Sequence, residues 1–176
     1  KNAGINFIDT AEMYPVPPKA ETYATTERYI GNWFKEHGDR ADWILASKIA
    51  GPGNTIDYIR DGQLKHNRTH IVQALDASLK RLQTDWIDLY QLHWPERSTN
   101  FFGQLGYTHN ADEQFTPLEE TLEALDEQVK AGKIRHIGLS NETPWATMKF
   151  LQLAESRGWP RAVSIQNPYS LLNRSF

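Results

Sequence analysis

Five short, nearly continuous apolar runs, each followed by an amphipathic helical stretch or a turn, narrow the folds open to this chain. The runs lie at residues 5–9 (INFID), 43–48 (WILASK), 87–93 (IDLYQLH), 134–140 (IRHIGLS) and 162–166 (AVSIQ). Strands with one face in water alternate apolar and polar residues, whereas parallel strands covered on both faces do not. Regular alternation of such runs with helices predicts βα units around a parallel sheet.

The helical stretches have readable ends. Residues 26–37 place Tyr29, Ile30, Trp33 and Phe34 on one side and stop at Gly38; residues 69–81 repeat Ile71, Val72, Leu75 and Leu79 at helical spacing, continuing to Leu82. Thr116, Pro117 and Glu119 predict a capping box with proline at the first helical position, opening a helix that buries Leu118, Leu122, Leu125 and Val129 and ends before Gly132. Thr143 and Pro144 open another, ending near Gly158. Two strand-to-helix connections are long, at residues 49–68 and 94–115. In an α/β barrel such loops crown the C-terminal face, where active sites sit. There is no repeat at fixed period and no low-complexity linker.

Composition removes several function classes. The chain has no cysteine, which excludes a disulfide framework, thiolate-bound zinc and thiol catalysis. A net charge of −3 without a basic run argues against nucleic-acid binding. No apolar run approaches the ~18 residues of a membrane helix, so a cytoplasmic protein with no membrane partner is expected.

The strand ends carry the chemistry. They are Asp9, Lys48, His93, Ser140 with Asn141, and Gln166 with Asn167. Each alone has an ordinary reading as a cap, a surface lysine, a core histidine or a turn. Together, at one end of a parallel sheet, they converge on one pocket. Tyr14 lies in the first strand-to-helix loop, within reach of it. A lysine ammonium beside a tyrosine favours phenolate, so Lys48 is expected to lower the Tyr14 pKa, with Asp9 holding the lysine charged and His93 steering a carbonyl. That is a general-acid site for a developing alkoxide. Hydride would have to come from a cofactor, and the Ser, Asn and Gln side chains match the donors and acceptors of a carboxamide such as nicotinamide's. A metal-dependent barrel hydrolase would need several strand-end ligands, of which Asp9 and His93 alone qualify. The residue logic indicates a carbonyl reductase while leaving other barrel enzymes open.

Five segments carry a resemblance: FIDTAEMY (7–14), ILASK (44–48), SLKRLQTDWIDLYQLHWP (78–95), AGKIRHIGLSN (131–141) and IQNPYSLLNR (165–174). In order and placement they resemble the successive signatures of the aldo/keto reductase family. AEMYPVPPKAET and QNPYSLLNRSF resemble the Tas-like branch of its bacterial NADP(H)-dependent members. The resemblance implies a (β/α)₈ TIM barrel, of which this chain is strands two to six, and NADP(H) as cofactor. It places the catalytic tetrad at Asp9, Tyr14, Lys48 and His93, with Tyr14 as proton donor. Ser140, Asn141 and Gln166 would hold the nicotinamide carboxamide, with Asp9 beside the cofactor. Tyr14, His93 and Trp94 would line the pocket for a small carbonyl substrate, reduced to an alcohol without a metal. Some members of the superfamily instead attach to ion channels, so a nicotinamide-binding regulatory subunit is the second reading. Oligomeric state is not readable.

Length completes the expectation. Lys1 to Gly4 read as the end of a preceding helix and its turn, and five strands are five of the eight that a barrel needs. Three further units of ~30 residues would bring the total near the ~250 typical of the fold. The 176 residues are therefore expected to be one reductase domain incomplete at both ends, aggregation-prone and inactive as a free chain because two sheet edges lack partners.

Other signals are set aside. His66 and His70 have the spacing of helical zinc ligands, but Asn67 stands where a metalloprotease needs Glu, and a solvated loop pair is expected. AGPGN (50–54) lacks the Lys–Ser/Thr of a P-loop and reads as a turn. LEETLEALDEQ (118–128) reads as a solvated helix face. FFGQLGY (101–107) is open to two readings, a substrate-loop anchor or a packed loop.

Overall fold

The computed structural model describes residues 3–104 and 106–173. Five parallel strands, β1 (Phe7–Asp9), β2 (Ile44–Ile49), β3 (Ile87–Leu92), β4 (Ile134–Ser140) and β5 (Ala162–Gln166), pair in sequence order. Helices α1 (Thr25–His37), α2 (Arg68–Leu82), α3 (Leu118–Lys130) and α4 (Pro144–Arg157) connect them, with short 3₁₀ turns at Ala20–Thr22, Arg40–Asp42 and Arg60–Gly62. These are successive units of a (β/α)₈ barrel. Among the described residues β1 pairs only with β2 and β5 only with β4, so the sheet is open at both edges. Phe7, Ile44, Val163 and Ile165 on or beside those outer strands are correspondingly exposed. Gly4 sits in a turn at φ +79, while Lys1 and Asn2 of the expected helix end lie outside the described residues, as do Leu105 and residues 174–176.

Local chemistry sets the helix ends. The Asn67 side chain accepts from the His70 N–H at the start of α2. Thr143 caps α4 by accepting from the Ala146 N–H, with Pro144 in the first turn. Gly38 and Gly158 close α1 and α4 in the left-handed conformation that glycine adopts at no steric cost. The capping box expected at the start of α3 does not form. Thr116 turns away, its N–H and hydroxyl both donating to Glu96 Oε1 at 2.8 and 3.2 Å, and Glu119 pairs with Arg157 of α4. Pro117 takes the cap position without a side-chain bond.

The core fills the space between the sheet and its helices, with Leu45, Ile49, Ile71, Leu75, Tyr90, Leu122, Ile137 and Phe150 all buried. At Gly31 the backbones of α1 and α2 nearly touch: a Cβ there would meet the Arg81 carbonyl oxygen at 2.1 Å. Beside this crossing, buried Glu27 accepts from Ser47 Oγ at 2.6 Å and from Arg81 Nε at 2.6 Å, clamping both helices to the outer face of β2. Because side chains alternate along a strand, this places Lys48, the next residue, on the opposite face.

Candidate active site

The register aligns the C-terminal strand ends. Asp9 pairs with Ala46, Lys48 with Gln91, and Ser140 with Gln166. The boundaries shift by one residue from expectation at two strands: Ile49 follows Lys48 within β2, and His93 lies just past β3, where its N–H still donates to the Ile49 carbonyl at 3.0 Å. Both residues remain at the rim.

Lys48 is buried and its ammonium is fully used. It donates to Asp9 Oδ1 and Oδ2 at 2.8 and 2.7 Å and to the Thr10 carbonyl at 2.8 Å. Burial pulls the lysine pKa below its ordinary value, with the Asp9 carboxylate opposing that shift. The Asp9 side chain is 30% exposed and also accepts from Gln91 Nε2 at 3.3 Å and Gln166 Nε2 at 3.4 Å.

Tyr14 stands over this pair. Lys48 Nζ lies 5.4 Å from the centre of its ring, and the His93 ring meets it edge-on at 5.6 Å. The expected lowering of the Tyr14 pKa is not what the geometry produces. Burial, followed by the Asp9 charge, raises it above the ordinary phenol value. The physical reason is that Lys48 gives all its donors to Asp9 and Thr10, so in a partly desolvated pocket its charge does not outweigh burial and the Asp9 carboxylate at the phenol. The phenol thus stays protonated through neutral pH. His93 moves the other way: burial, then the Lys48 charge, lowers its pKa to about 3, leaving a neutral imidazole whose buried Nδ1 has no partner among the described residues. A protonated phenol, a buried cation–carboxylate pair and a neutral imidazole can together donate one proton and orient one carbonyl.

Beside them, Ser140, Asn141 and Gln166 form a polar edge. Ser140 Oγ donates to the Gln166 carbonyl at 2.9 Å. Asn141, in the left-handed region at φ +53, donates its side-chain N–H groups to the His93 carbonyl at 2.9 Å and to Ser140 Oγ at 3.1 Å. That leaves Asn141 Oδ1 as an acceptor, on a residue whose N–H bonds the carbonyl of exposed Gln166, and with the Gln166 amide it offers the complement of a carboxamide's N–H and C=O. These residues fit a nicotinamide carboxamide on donor chemistry.

A cavity of about 520 Å³ opens in front of Tyr14 and His93, with Met13, Ile56, Trp94 and Phe102 among its walls. That volume suits a small organic ligand. Trp94 is seated by its indole N–H on the Pro52 carbonyl at 2.9 Å and packs so closely on Gly51 that a Cβ there would meet its ring at 2.6 Å. Phe102 meets Trp94 edge-on at 5.3 Å and Phe101 at 5.0 Å. The 101–107 stretch is therefore divided: its two phenylalanines line this cavity, while Tyr107 turns to His109 at 3.1 Å.

The aldo/keto reductase family model matches residues 2–176. The chain belongs to the aldo/keto reductase family. It is 56% identical over 174 residues to protein tas of Escherichia coli (strain K12), covering 98% of this chain and 50% of that protein. It is 37% identical over 139 residues to the aldo-keto reductase yakc [NADP(+)] of Schizosaccharomyces pombe, covering 78% of this chain and 33% of that one. Among solved structures it superposes on a thermostable aldo-keto reductase, Tm1743, crystallised with the inhibitor epalrestat, at a TM-score of 0.66 and 31% identity, covering 98% of this chain and 48% of that chain. The chain spans about half the length of the curated relatives it matches, or less.

Other residues of this aldo/keto reductase chain differ from or add to the sequence reading. His66 is buried, not solvated: its N–H donates to Glu96 Oε2 at 2.7 Å, its carbonyl accepts from Thr121, and burial pushes its pKa down to about 4. Glu96 thus ties the start of α2 to the start of α3. Gln91 was not singled out, although it lies two residues before His93 and so on the same face of the strand. Glu12 was also missed. Fully buried two residues before Tyr14, it accepts from the Ala50 N–H at 2.7 Å and from both Arg60 terminal nitrogens at 2.7 and 2.8 Å, tying the Tyr14 loop to the strand end that carries Lys48. The motif offers a signal, an acidic residue between strand end and tyrosine, but its partner Arg60 lies 48 positions away. No helix among the described residues is long and apolar enough to cross a membrane.

Proposed function

We propose that this chain is the catalytic part of an NADP(H)-dependent oxidoreductase that reduces aldehydes or ketones to alcohols, and that it forms one incomplete aldo/keto reductase domain of a longer protein. The observation that carries the reading is the meeting of Tyr14, the Asp9–Lys48 pair and neutral His93 at the mouth of one cavity. The S. pombe relative's name, aldo-keto reductase yakc [NADP(+)], supports NADP(H) as the cofactor.

A nicotinamide held here would supply hydride for the carbonyl carbon. Ser140, Asn141 and Gln166 would hold its carboxamide, with Asp9 beside Gln166. His93, neutral at working pH, orients the carbonyl oxygen with a hydrogen bond. Tyr14 gives its phenolic proton to that oxygen as charge develops there. Lys48 and Asp9 keep a fixed ion pair under the phenol, and Trp94 forms part of the cavity wall beside His93.

The second reading is a nicotinamide-binding regulatory subunit with little turnover, since such a subunit can keep the same four side chains. Steady-state NADPH oxidation by the complete protein over a panel of small aldehydes and ketones separates the two. Turnover that depends on both carbonyl and NADPH is expected. Tight NADPH binding with no turnover across the panel would favour the regulatory subunit.

A further inference from the structure

The turn that presents Asn141 is held from behind by an ion pair that the chemistry above does not use. Arg97, in the long loop after β3, forks onto Glu142: its terminal nitrogens donate to Glu142 Oε1 and Oε2 at 2.8 and 2.6 Å, and one also donates to Thr143 Oγ1 at 3.0 Å. The two side chains are 10% and 3% exposed. Glu142 further accepts its neighbour's N–H, from Thr143, at 2.7 Å, and its carbonyl accepts from Asn167 Nδ2 at 3.0 Å.

This node joins three strand ends. Through Asn167 it reaches the end of β5, where the Gln166 carbonyl accepts from the Asn141 N–H at 3.0 Å. Through Asn141, whose φ of +53 lies in the left-handed region that asparagine enters more readily than most residues, it reaches the His93 carbonyl at the end of β3. A buried pair adds little net stability over apolar groups of the same shape, yet a two-toothed arginine–carboxylate contact fixes direction closely.

We infer that Arg97 and Glu142 are positioning residues for the reductase reaction. They set the turn from which Ser140 and Asn141 meet the nicotinamide carboxamide and, through Asn141, they fix the backbone of His93. The inference rests on the reductase reading and adds a coupling between the substrate-side loop and the cofactor edge.

The test uses the complete protein and the double variant Arg97→Met/Glu142→Gln, which removes the fork without leaving a buried charge unpaired. Melting temperature reads the fold. Tryptophan fluorescence titrations read the dissociation constants of NADPH and of 2′,5′-ADP, the adenosine half that lacks the carboxamide. The expected result is a melting temperature close to the parent's, NADPH binding weakened about fivefold or more, and 2′,5′-ADP binding unchanged. Turnover of an aldehyde falls by about 10²-fold, because small displacements of a reacting pair are costly. Arg97→Lys, which keeps the charge but not the fork, gives a smaller loss in the same direction and carries the test if the double variant does not fold. A folded variant with parental NADPH affinity and turnover would overturn the inference alone. So would equal weakening of NADPH and 2′,5′-ADP. A parent protein that neither binds NADPH nor reduces any carbonyl overturns the reductase reading, and this inference with it.

Discussion

Replacing Tyr14 with phenylalanine in the complete protein is expected to lower carbonyl turnover by roughly 10²–10⁴-fold, the range of a lost general acid. NADPH affinity should stay at its parental value, because in the proposed mechanism the phenol would contact the reacting oxygen while Ser140, Asn141 and Gln166 would meet the carboxamide. Single-turnover kinetics give the cleanest reading, since product release then cannot mask the proton step. The pH profile adds a second readout. Burial and the Asp9 charge raise the Tyr14 pKa above its ordinary value of 10.0, so the parental reduction rate should be level through neutral pH and fall only in the alkaline range as the phenol ionises. His93, with its pKa lowered to about 3, should add no inflection near neutrality. Unchanged single-turnover rates in Tyr14→Phe would remove Tyr14 from the proton-donor role. An alkaline limb well below pH 10 in the parent would contradict the raised phenol.

The second large effect is expected at Lys48. In Lys48→Met the Asp9 carboxylate loses its bidentate partner, with its side chain 30% exposed. Breaking a fully buried pair costs about 3–5 kcal/mol, and the partial exposure of Asp9 lowers that to about 2–3 kcal/mol. The uncompensated carboxylate, already one cause of the raised Tyr14 pKa, would hold the phenolic proton more firmly, so turnover should fall by about 10²-fold or more. Adding Asp9→Asn removes the unpaired charge. The double variant Lys48→Met/Asp9→Asn should therefore regain most of the melting temperature without regaining turnover. Recovery of turnover together with stability would show that the pair serves the fold and not the chemistry.

The strand ends were legible because parallel strands buried on both faces leave long apolar runs, and the run ends at Asp9, Lys48, His93, Ser140 and Gln166 mark the sheet's rim to within one residue. Helix caps set by neighbours in sequence were equally legible at Thr143 and Gly158. What local patterns could not show was competition from distant partners. Thr116 looked like a capping threonine, but Glu96, 20 residues earlier, takes its N–H and hydroxyl. His66 looked like a loop histidine, but the same glutamate and Thr121 of α3 draw it inside. Proximity of Lys48 to Tyr14 was legible and its electrical consequence was not, since the sign depends on where the lysine's three donors go. The Arg97–Glu142 pair joins residues 45 apart, so its alignment becomes visible only once β3 and β4 lie side by side.

We propose that a carbonyl is reduced by hydride at the cavity where Tyr14, Lys48, Asp9 and His93 meet. The direct measurement follows deuterium from NADPH labelled at the nicotinamide C4 position into the product, by mass spectrometry, using the complete protein and a small aldehyde. The expected result is an alcohol carrying the label on its carbinol carbon, formed by the parent protein and nearly absent with Tyr14→Phe. An unlabelled alcohol, or none from a parent protein saturated with NADPH, would contradict the account.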